Sequence, residues 1–217
     1  MNASLAFLLS SNYHGSTLHP EHVADLRKSG LTDQTIQVQY FRSVPPGMIS
    51  QLLGFNVPTI ASAMLIPFPA PGGGFMNHIR VRIFPAMKDR NGHTIKYLQP
   101  KKSAPRLFFP LLTLDEVLHG DAPLWAVEGE KKALAVAQLG LRAVGFCGIE
   151  GWHSVGLRTL LPDFDVIPLR GRTVELVPDG DVATNPNVYR GAVRLVEALE
   201  TQGARVRLVQ LPTRVAA

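Results

Sequence analysis

The sequence predicts an α/β chain, α+β overall, in which a Rossmann-type parallel sheet with flanking helices follows a small helical lead-in and a basic antiparallel sheet. Short apolar runs alternate with helix-forming stretches from residue 124 onward, and such repeats build parallel sheets through right-handed crossovers. Residues 78–84 instead alternate strictly between apolar and basic side chains, which is typical of an antiparallel strand. Proline and glycine at helix-boundary positions mark short helices before residue 57.

These patterns divide the sequence into three parts. We predict a helical N-terminal lead-in at residues 1–57, a basic antiparallel-sheet subdomain at residues 58–121 and an α/β domain at residues 122–217. Within the lead-in, residues 1–17 show little periodicity and predict a loose arm. Boundary residues predict helices over residues 17–30, over residues 31–36 with Thr32 or Asp33 as the cap, and over residues 48–53.

Two histidines lie on the first predicted helix. His19 and His22 are three residues apart and therefore share one face. Such a pair could bind a metal ion, but no further ligand is near in the sequence, and zinc sites use three or four protein ligands. We therefore expect surface or capping histidines.

The composition excludes several classes of protein. The single cysteine, Cys147, rules out an internal disulfide and a cysteine-based zinc ribbon, and we expect it to be a small buried residue. No apolar run is long enough to span a membrane, and the run at residues 5–9 is too short for a signal peptide. A cytoplasmic location without membrane contact fits these features. The net charge of +5 suits a polyanionic partner.

The basic residues are concentrated between residues 80 and 106, in the predicted antiparallel sheet. Strands are predicted at residues 63–68, 78–84, 94–98 and 106–110, with a hairpin turn at residues 89–92. His78, Arg80 and Arg82 would share the solvent-facing side, and Lys96 could join them across the hairpin. These side chains could simply be the polar side of a sheet. A basic face without acids is repulsive unless an anion binds, however, and we therefore favour binding of nucleic acid or nucleotide phosphate.

Acidic side chains follow two predicted strands of the α/β domain. Residues 124–127 form an apolar strand that ends at Glu128 and leads through Gly129 into a helix over residues 130–139. Residues 173–177 form another strand, followed by Asp179 and Asp181. The other elements predicted here are helices at residues 114–118, near 155–161 and at 187–202, and strands at residues 142–146 and 205–211.

The three acids converge if these two strands are neighbours, because ligands bind at the carboxyl ends of strands in such sheets. Three carboxylates repel each other, and a divalent cation among them relieves that repulsion. Mg²⁺ prefers oxygen ligands and keeps waters for substrate phosphates. The alternative is that Glu128, Asp179 and Asp181 are solvated acids at strand ends.

An apolar strand with Glu-Gly, a helix and a later strand with Asp-x-Asp resembles the Toprim fold of primases, topoisomerases and related nucleases. The resemblance covers about residues 122–212, and Gly180 stands where the family usually has serine. The stretches Glu-Gly-Glu-Lys-Lys-Ala, Gly148 to Trp152 and Asp-Gly-Asp are similar to Toprim-like domains of phage and plasmid replication proteins. The basic sheet resembles the subdomain that precedes Toprim in bacterial and phage primases.

The resemblance implies a set of site residues. Glu128, Asp179 and Asp181 would bind Mg²⁺ or Mn²⁺, and Glu128 could instead act as a general acid or base. Independently of the resemblance, Lys131 and Lys132 begin the helix beside Glu128, and we expect them either to contact a phosphate, Lys131 before Lys132, or simply to solvate the helix. The residues implied to hold template or incoming nucleotide are Arg80, Arg82, Lys96 and Lys101.

The function that follows is a primase-like, metal-dependent nucleotidyltransferase. It would use nucleoside triphosphates on single-stranded DNA or RNA in phage- or plasmid-type replication, with a replicative helicase as a candidate partner. A Toprim-type metal-dependent nuclease would use the same acids. The third hypothesis is a non-catalytic nucleic-acid-binding replication accessory. The lack of a zinc module and of a helicase in this sequence is the argument for it, but we prefer the enzyme.

Overall fold

The chain forms two compact units, residues 1–103 and residues 104–217. The computed structural model describes residues 3–9, 18–57, 60–154, 156–157 and 159–210. The first unit contains a four-stranded antiparallel sheet and the second a four-stranded parallel sheet with helices, which confirms the predicted α+β class. The three-part division at residues 57 and 121 stays a prediction. None of the helices described is long and apolar enough to cross a membrane.

The N-terminal unit joins four helices to the antiparallel sheet. Its elements are α1 (Ala3–Leu9), α2 (Pro20–Lys28), α3 (Asp33–Val38), β1 (Arg42–Val44), α4 (Pro46–Leu53), β2 (Ser62–Pro69), β3 (Phe75–Lys88) and β4 (Thr94–Leu98). The strands pair in the order β1-β2-β3-β4. In α3 the predicted cap Thr32 accepts a hydrogen bond from the Thr35 N–H (3.2 Å), and α4 ends at Gly54, which has a φ of 73°.

Two parts of this unit differ from the prediction. The helix α1 lies within the arm that was expected to be loose, while residues 10–17 lie outside the described part of the chain. The edge strand β1 was not predicted, because a three-residue strand is too short to show a period of two. Its position beside β2 is a consequence of tertiary packing.

Helices cover both faces of this sheet. On one face, aliphatic side chains of β2 and β3 pack against α4, and each fully buried one contributes about 1.5–3 kcal/mol to stability. The residues of this core include Ile49, Leu52, Leu53, Ala63, Leu65, Ile79, Val81 and Ile83. The opposite face was expected to be exposed to solvent, but α2 lies on it and contacts β1 and β2 through His22 and β3 through Asp25.

His22 is the main contact of α2 with the sheet. Its side chain is fully buried, and its Nδ1 and Nε2 atoms lie 2.8 Å from Ser43 Oγ and 3.1 Å from Ser62 Oγ. The ring also lies 4.7 Å from the Phe84 ring and stacks on His19 at 5.2 Å. The expectation of a surface or capping histidine is therefore wrong for His22, because its partners come from strands that are 21 and 40 residues away in the sequence.

The C-terminal unit is built on the predicted strand–helix repeats. Its described elements are α5 (Leu114–His119), β5 (Leu124–Glu128), α6 (Glu130–Ala137), β6 (Arg142–Phe146), β7 (Thr173–Val177), α7 (Pro186–Thr201) and β8 (Arg205–Leu208). These four strands are parallel, in the order β6-β5-β7-β8. The predicted last strand extended to Leu211, which lies outside the described residues.

The helix predicted near residues 155–161 is wrong for the residues described there. The backbone of residues 156–157 and 159–161 is not helical, and Val155 and Arg158 lie outside the description. The Leu161 N–H donates to the Trp152 carbonyl (2.9 Å), and a short 3₁₀ turn follows at Pro162–Phe164. Gly156, with a φ of 80°, and Pro162 interrupt the helical pattern from both sides.

The segment predicted as another strand of the antiparallel sheet, residues 106–110, belongs to the C-terminal unit. Phe108 forms an isolated antiparallel bridge with Gly145 of β6 through two hydrogen bonds of 2.8 Å. A Cβ atom on Gly145 would lie 3.3 Å from the Phe108 Cβ atom, so the glycine permits this close approach. Pro105 and Pro110 flank the segment and keep it short.

Asp163 anchors this segment. Its carboxylate is 6% exposed and accepts hydrogen bonds from the Arg106 guanidinium and from the Leu107 N–H (2.8 Å).

Replacing Asp163 with alanine leaves the buried Leu107 N–H unpaired. We expect Asp163→Ala to lower the free energy of unfolding of this unit by about 1–3 kcal/mol, measured by urea denaturation. Asp165→Ala, at an exposed acid two residues away, is the matched control, and an equal loss in both variants would contradict the assignment.

The buried His22 predicts a pH dependence. Burial lowers the pKa of His22 below its ordinary value of 6.5, and the charges of Glu21, His19, Asp25 and Arg82 modify the shift in both directions. The unfolded chain therefore binds more protons than the folded chain once the pH falls below 6.5. The contribution of His22 to the free energy of unfolding is fully present above this pH. It is lost as the pH falls, by at most about 1.4 kcal/mol for each pH unit.

Urea denaturation between pH 7.5 and pH 5 measures this loss. We expect His22→Gln to show a shallower pH dependence than the wild type, because glutamine does not gain a proton. His93→Gln, at a histidine whose side chain is 77% exposed in the same unit, controls for the loss of an imidazole. Equal slopes in all three proteins would show that His22 does not titrate in this range.

Candidate functional site

The acids that follow two strands of the parallel sheet lie together. The strands β5 and β7 are neighbours, and Val127 pairs with Val177 near their carboxyl ends. Glu128 is the last residue of β5, and Asp179 follows β7 by two residues. The Asp179 N–H donates a hydrogen bond to Glu128 Oε2 (3.0 Å). This contact joins two of the three predicted acids at one edge of the sheet.

The third acid, Asp181, has a different partner. Its side chain is exposed, and its carboxylate accepts a hydrogen bond from Asn185 Nδ2 (3.0 Å). The Asp181 carbonyl accepts from the N–H groups of Thr184 (2.9 Å) and Asn185 (2.8 Å), and Asn185 in turn caps α7. Asp181 therefore supports the turn that leads into α7.

Lys132 lies at the acidic edge. Its ammonium group forms an ion pair with Asp179, and the two side chains are 53% and 44% exposed. Lys132 is in the first turn of α6, which Gly129 begins with a φ of 103° directly after Glu128. From the sequence, Lys131 was the stronger candidate for a phosphate contact. The structure shows an ion pair of Lys132 with Asp179.

The surroundings of Glu128 disfavour its ionised form. Burial raises the pKa of Glu128 above its ordinary range, and the charges of Asp179 and Asp181 raise it further. The hydrogen bond from the Asp179 N–H and the charge of Lys132 act in the opposite direction. The direction of the shift shows that the ionised carboxylate is only partly compensated by its neighbours.

Two carboxylates are available at this edge for a divalent cation, those of Glu128 and Asp179. Among the residues described, no group of three His, Cys, Asp or Glu side chains is arranged to hold a metal ion. Mg²⁺ needs only one or two protein carboxylates and fills its other positions with water and substrate oxygens. In the structure, Glu128 Oε2 accepts from the Asp179 N–H, and Asp179 Oδ1 pairs with the Lys132 ammonium.

The predicted basic face of the antiparallel sheet contains an acid from outside it. Arg82 pairs with Asp25 of α2 at 3.1 Å, and the two side chains are only 12% and 16% exposed. The Arg82 guanidinium also lies 4.6 Å from the centre of the Phe84 ring, and that of Arg80 lies 4.6 Å from the Tyr97 ring. The premise of an all-basic face is therefore wrong, because α2 brings a carboxylate to it.

Other predicted members of this face lie elsewhere. Arg82 pairs directly with Tyr97 across the strands, so Lys96, which precedes Tyr97, projects from the opposite face. His78 is buried against the Phe68 ring, with the two ring centres 4.5 Å apart. Lys101 is exposed beside a cleft of about 290 Å³ that Asn77 and Lys102 also line.

Two residues with roles near these sites were missed in the sequence. Asp25 of α2 forms an ion pair with Arg82 of β3, and nothing in the sequence around Asp25 indicates that its partner lies on a distant strand. Asn185 binds Asp181 and caps α7. Its position directly before Pro186, at the start of a helical pattern, is a capping signal that the sequence does contain.

Comparisons with known proteins support the fold. A family model described as a domain of unknown function (DUF3854) matches residues 115–216. No curated protein matches the chain. Among solved structures, the Aquifex aeolicus primase, crystallised as its zinc binding and RNA polymerase domains, is similar with a TM-score of 0.61 at 15% identity. The match covers 90% of this chain and 51% of the primase chain, so the chain spans about half the length of that protein. At this identity the likeness concerns the fold.

Gly180 lies between the two aspartates, where Toprim proteins usually have serine, and a Gly180→Ser variant tests whether this turn tolerates a side chain. A Cβ atom there meets nothing within 4 Å, and the backbone is not left-handed. We expect Gly180→Ser to change the free energy of unfolding by less than about 0.5 kcal/mol. Gly129→Ser is the contrasting variant, since its φ of 103° should make a side chain cost about 1–3 kcal/mol. Thermal denaturation of both variants measures the difference, and a destabilised Gly180→Ser would contradict the described turn.

Proposed function

We propose that this chain is a primase-like, metal-dependent nucleotidyltransferase of the Toprim type that acts on single-stranded nucleic acid. The observation that carries the proposal is the contact of Glu128 with Asp179 at the carboxyl edge of a parallel sheet. It occurs in a fold that resembles primase domains. Acids in this position are where such sheets bind their ligands.

The metal-binding part of the proposal uses Glu128 and Asp179, with Asp181 beside them. These carboxylates would hold Mg²⁺ or Mn²⁺ and leave coordination positions for the triphosphate. When bound, the ion supplies charge neutralisation at the transferred phosphoryl group and a lower pKa for the attacking 3′-hydroxyl. The alternative role for Glu128, whose pKa is raised by burial, is to act as the general acid or base instead of as a metal ligand.

Basic side chains would hold the polyanions. Lys132 is next to the acids, and Lys131 precedes it in the same helical turn. Lys96 and Lys101 are exposed, whereas the charge of Arg82 is balanced by Asp25. We therefore rank the two exposed lysines above Arg80 and Arg82 for contact with template or nucleotide phosphates, which such lysines bind in a salt-dependent way.

The proposed setting is phage- or plasmid-type replication in the cytoplasm. Nucleoside triphosphates and single-stranded DNA or RNA are the proposed substrates, and a replicative helicase is the proposed partner. These assignments rest on the resemblance of the acidic turns and the basic sheet to Toprim-containing replication proteins.

A non-catalytic nucleic-acid-binding accessory is the second candidate. The observation in its favour is that Lys132 occupies Asp179 and that Asp181 is engaged by Asn185. An acidic site that is neutralised by its own lysine and asparagine could stabilise the fold without turnover. A metal-dependent nuclease would use the same carboxylates as the polymerising enzyme.

A primer-synthesis assay separates these functions. Labelled nucleotides are incubated with circular single-stranded DNA and Mg²⁺ or Mn²⁺, and the products are resolved by length. We expect short products from the wild type and a loss of about 100-fold or more in Asp179→Asn, because the substitution removes a proposed metal ligand. Glu200→Gln is the control, since Glu200 is exposed in the last turn of α7, at the end away from the acidic turn.

The assay has three informative outcomes. Products from the wild type and Glu200→Gln but not from Asp179→Asn support nucleotidyl transfer. Shortened DNA without new products identifies a nuclease. Unchanged DNA with salt-dependent binding that Asp179→Asn retains identifies the accessory and overturns the enzyme proposal.

A further inference from the structure

We propose that Lys132 is a displaceable counter-ion of the candidate metal site. Without a divalent cation its ammonium group neutralises Asp179, and when a cation binds, Lys132 leaves Asp179 and contacts the phosphates of the incoming ligand. This inference rests on the proposed function, because it concerns the same carboxylates. It assigns an order to the site, in which cation binding precedes and promotes triphosphate binding.

The first support is that Lys132 and a divalent cation would compete for the Asp179 carboxylate. Asp179 Oδ1 accepts the Lys132 ammonium, and the same carboxylate is one of the two proposed metal ligands. Two positive charges at one carboxylate repel each other, and each therefore weakens the binding of the other.

The second support is that the pair can separate easily. The Lys132 side chain is 53% exposed and that of Asp179 is 44% exposed, and ion pairs of this exposure contribute little to stability. Lysine has a flexible four-carbon stem with a single charge at its end. Lys132 can therefore move into solvent without disturbing α6, whose buried contacts are made by Ala133, Leu134 and Ala137.

The third support is the position of Lys132 in the chain. Lys132 is in the first turn of α6, which begins directly after Glu128 at the carboxyl end of β5. An ammonium group that leaves Asp179 therefore stays at the edge of the sheet where such folds bind their ligands, and it can contact triphosphate oxygens there.

Manganese binding to the full chain tests the proposal without any catalytic assay. Isothermal titration calorimetry measures the Mn²⁺ affinity of the wild type, Lys132→Met and Lys132→Arg. We expect Lys132→Met to bind Mn²⁺ about 3- to 10-fold more tightly, because a competing positive charge is removed. Lys132→Arg should stay near the wild type. Arg205→Met removes the same charge at the amino end of β8, at the opposite edge of the sheet, and should also stay near the wild type.

A second titration uses inorganic triphosphate with Mn²⁺ at saturation. Here we expect the opposite direction, with about 3- to 10-fold weaker binding to Lys132→Met than to the wild type, because a phosphate contact is lost. Opposite changes in the two affinities distinguish a displaced counter-ion from a lysine that only stabilises the fold. Circular dichroism of each variant checks that it is folded.

The outcomes separate this inference from the proposed function. Wild-type Mn²⁺ binding that Asp179→Asn abolishes and Lys132→Met leaves unchanged would overturn the counter-ion role while supporting the metal site. Absence of Mn²⁺ binding in every protein would overturn both. Tighter Mn²⁺ binding together with weaker triphosphate binding in Lys132→Met would support both.

Discussion

The parallel pairing of β5 with β7 places Glu128 and Asp179 beside each other, and the surrounding residues of the candidate site are arranged around these two acids. The Asp179 N–H and the Lys132 ammonium approach the two carboxylates from different elements. Asp181 is turned to Asn185, which lowers the number of acids that face each other directly. Burial, together with the charges of Asp179 and Asp181, nevertheless keeps the pKa of Glu128 above its ordinary range. The ionised form of this carboxylate is therefore costly unless further positive charge is near.

In the N-terminal unit, the helix α2 covers the polar face of the antiparallel sheet. The helix α2 inserts His22 between two serine hydroxyls and pairs Asp25 with Arg82. Buried polar groups are tolerated when they have hydrogen-bond partners. The face that carries Arg82 is therefore partly structural, and the exposed lysines at positions 96 and 101 become the stronger candidates for contact with a polyanion.

The two units illustrate why one kind of candidate site was easier to predict than the other. The acids follow strands whose parallel order can be expected from repeated strand–helix units, and parallel strands present their carboxyl ends at one edge. The basic face depends on a helix that returns from an earlier part of the chain. It also depends on an irregular register between residues 82 and 87 of β3, which puts Tyr97 rather than Lys96 beside Arg82.

The sequence by itself determined the α+β class, most helices and strands, and the positions of Glu128 and Asp179 after two strands, because hydrophobic periodicity and turn residues act locally. The tertiary structure decided that these two strands are neighbours. Only the tertiary structure decided the burial of His22, the Asp25 partner of Arg82 and the place of residues 106–110 beside Gly145. It also decided that Lys132 forms an ion pair with Asp179. These features depend on contacts between residues far apart in the chain, and which distant side chains meet is set by packing rather than by local pattern.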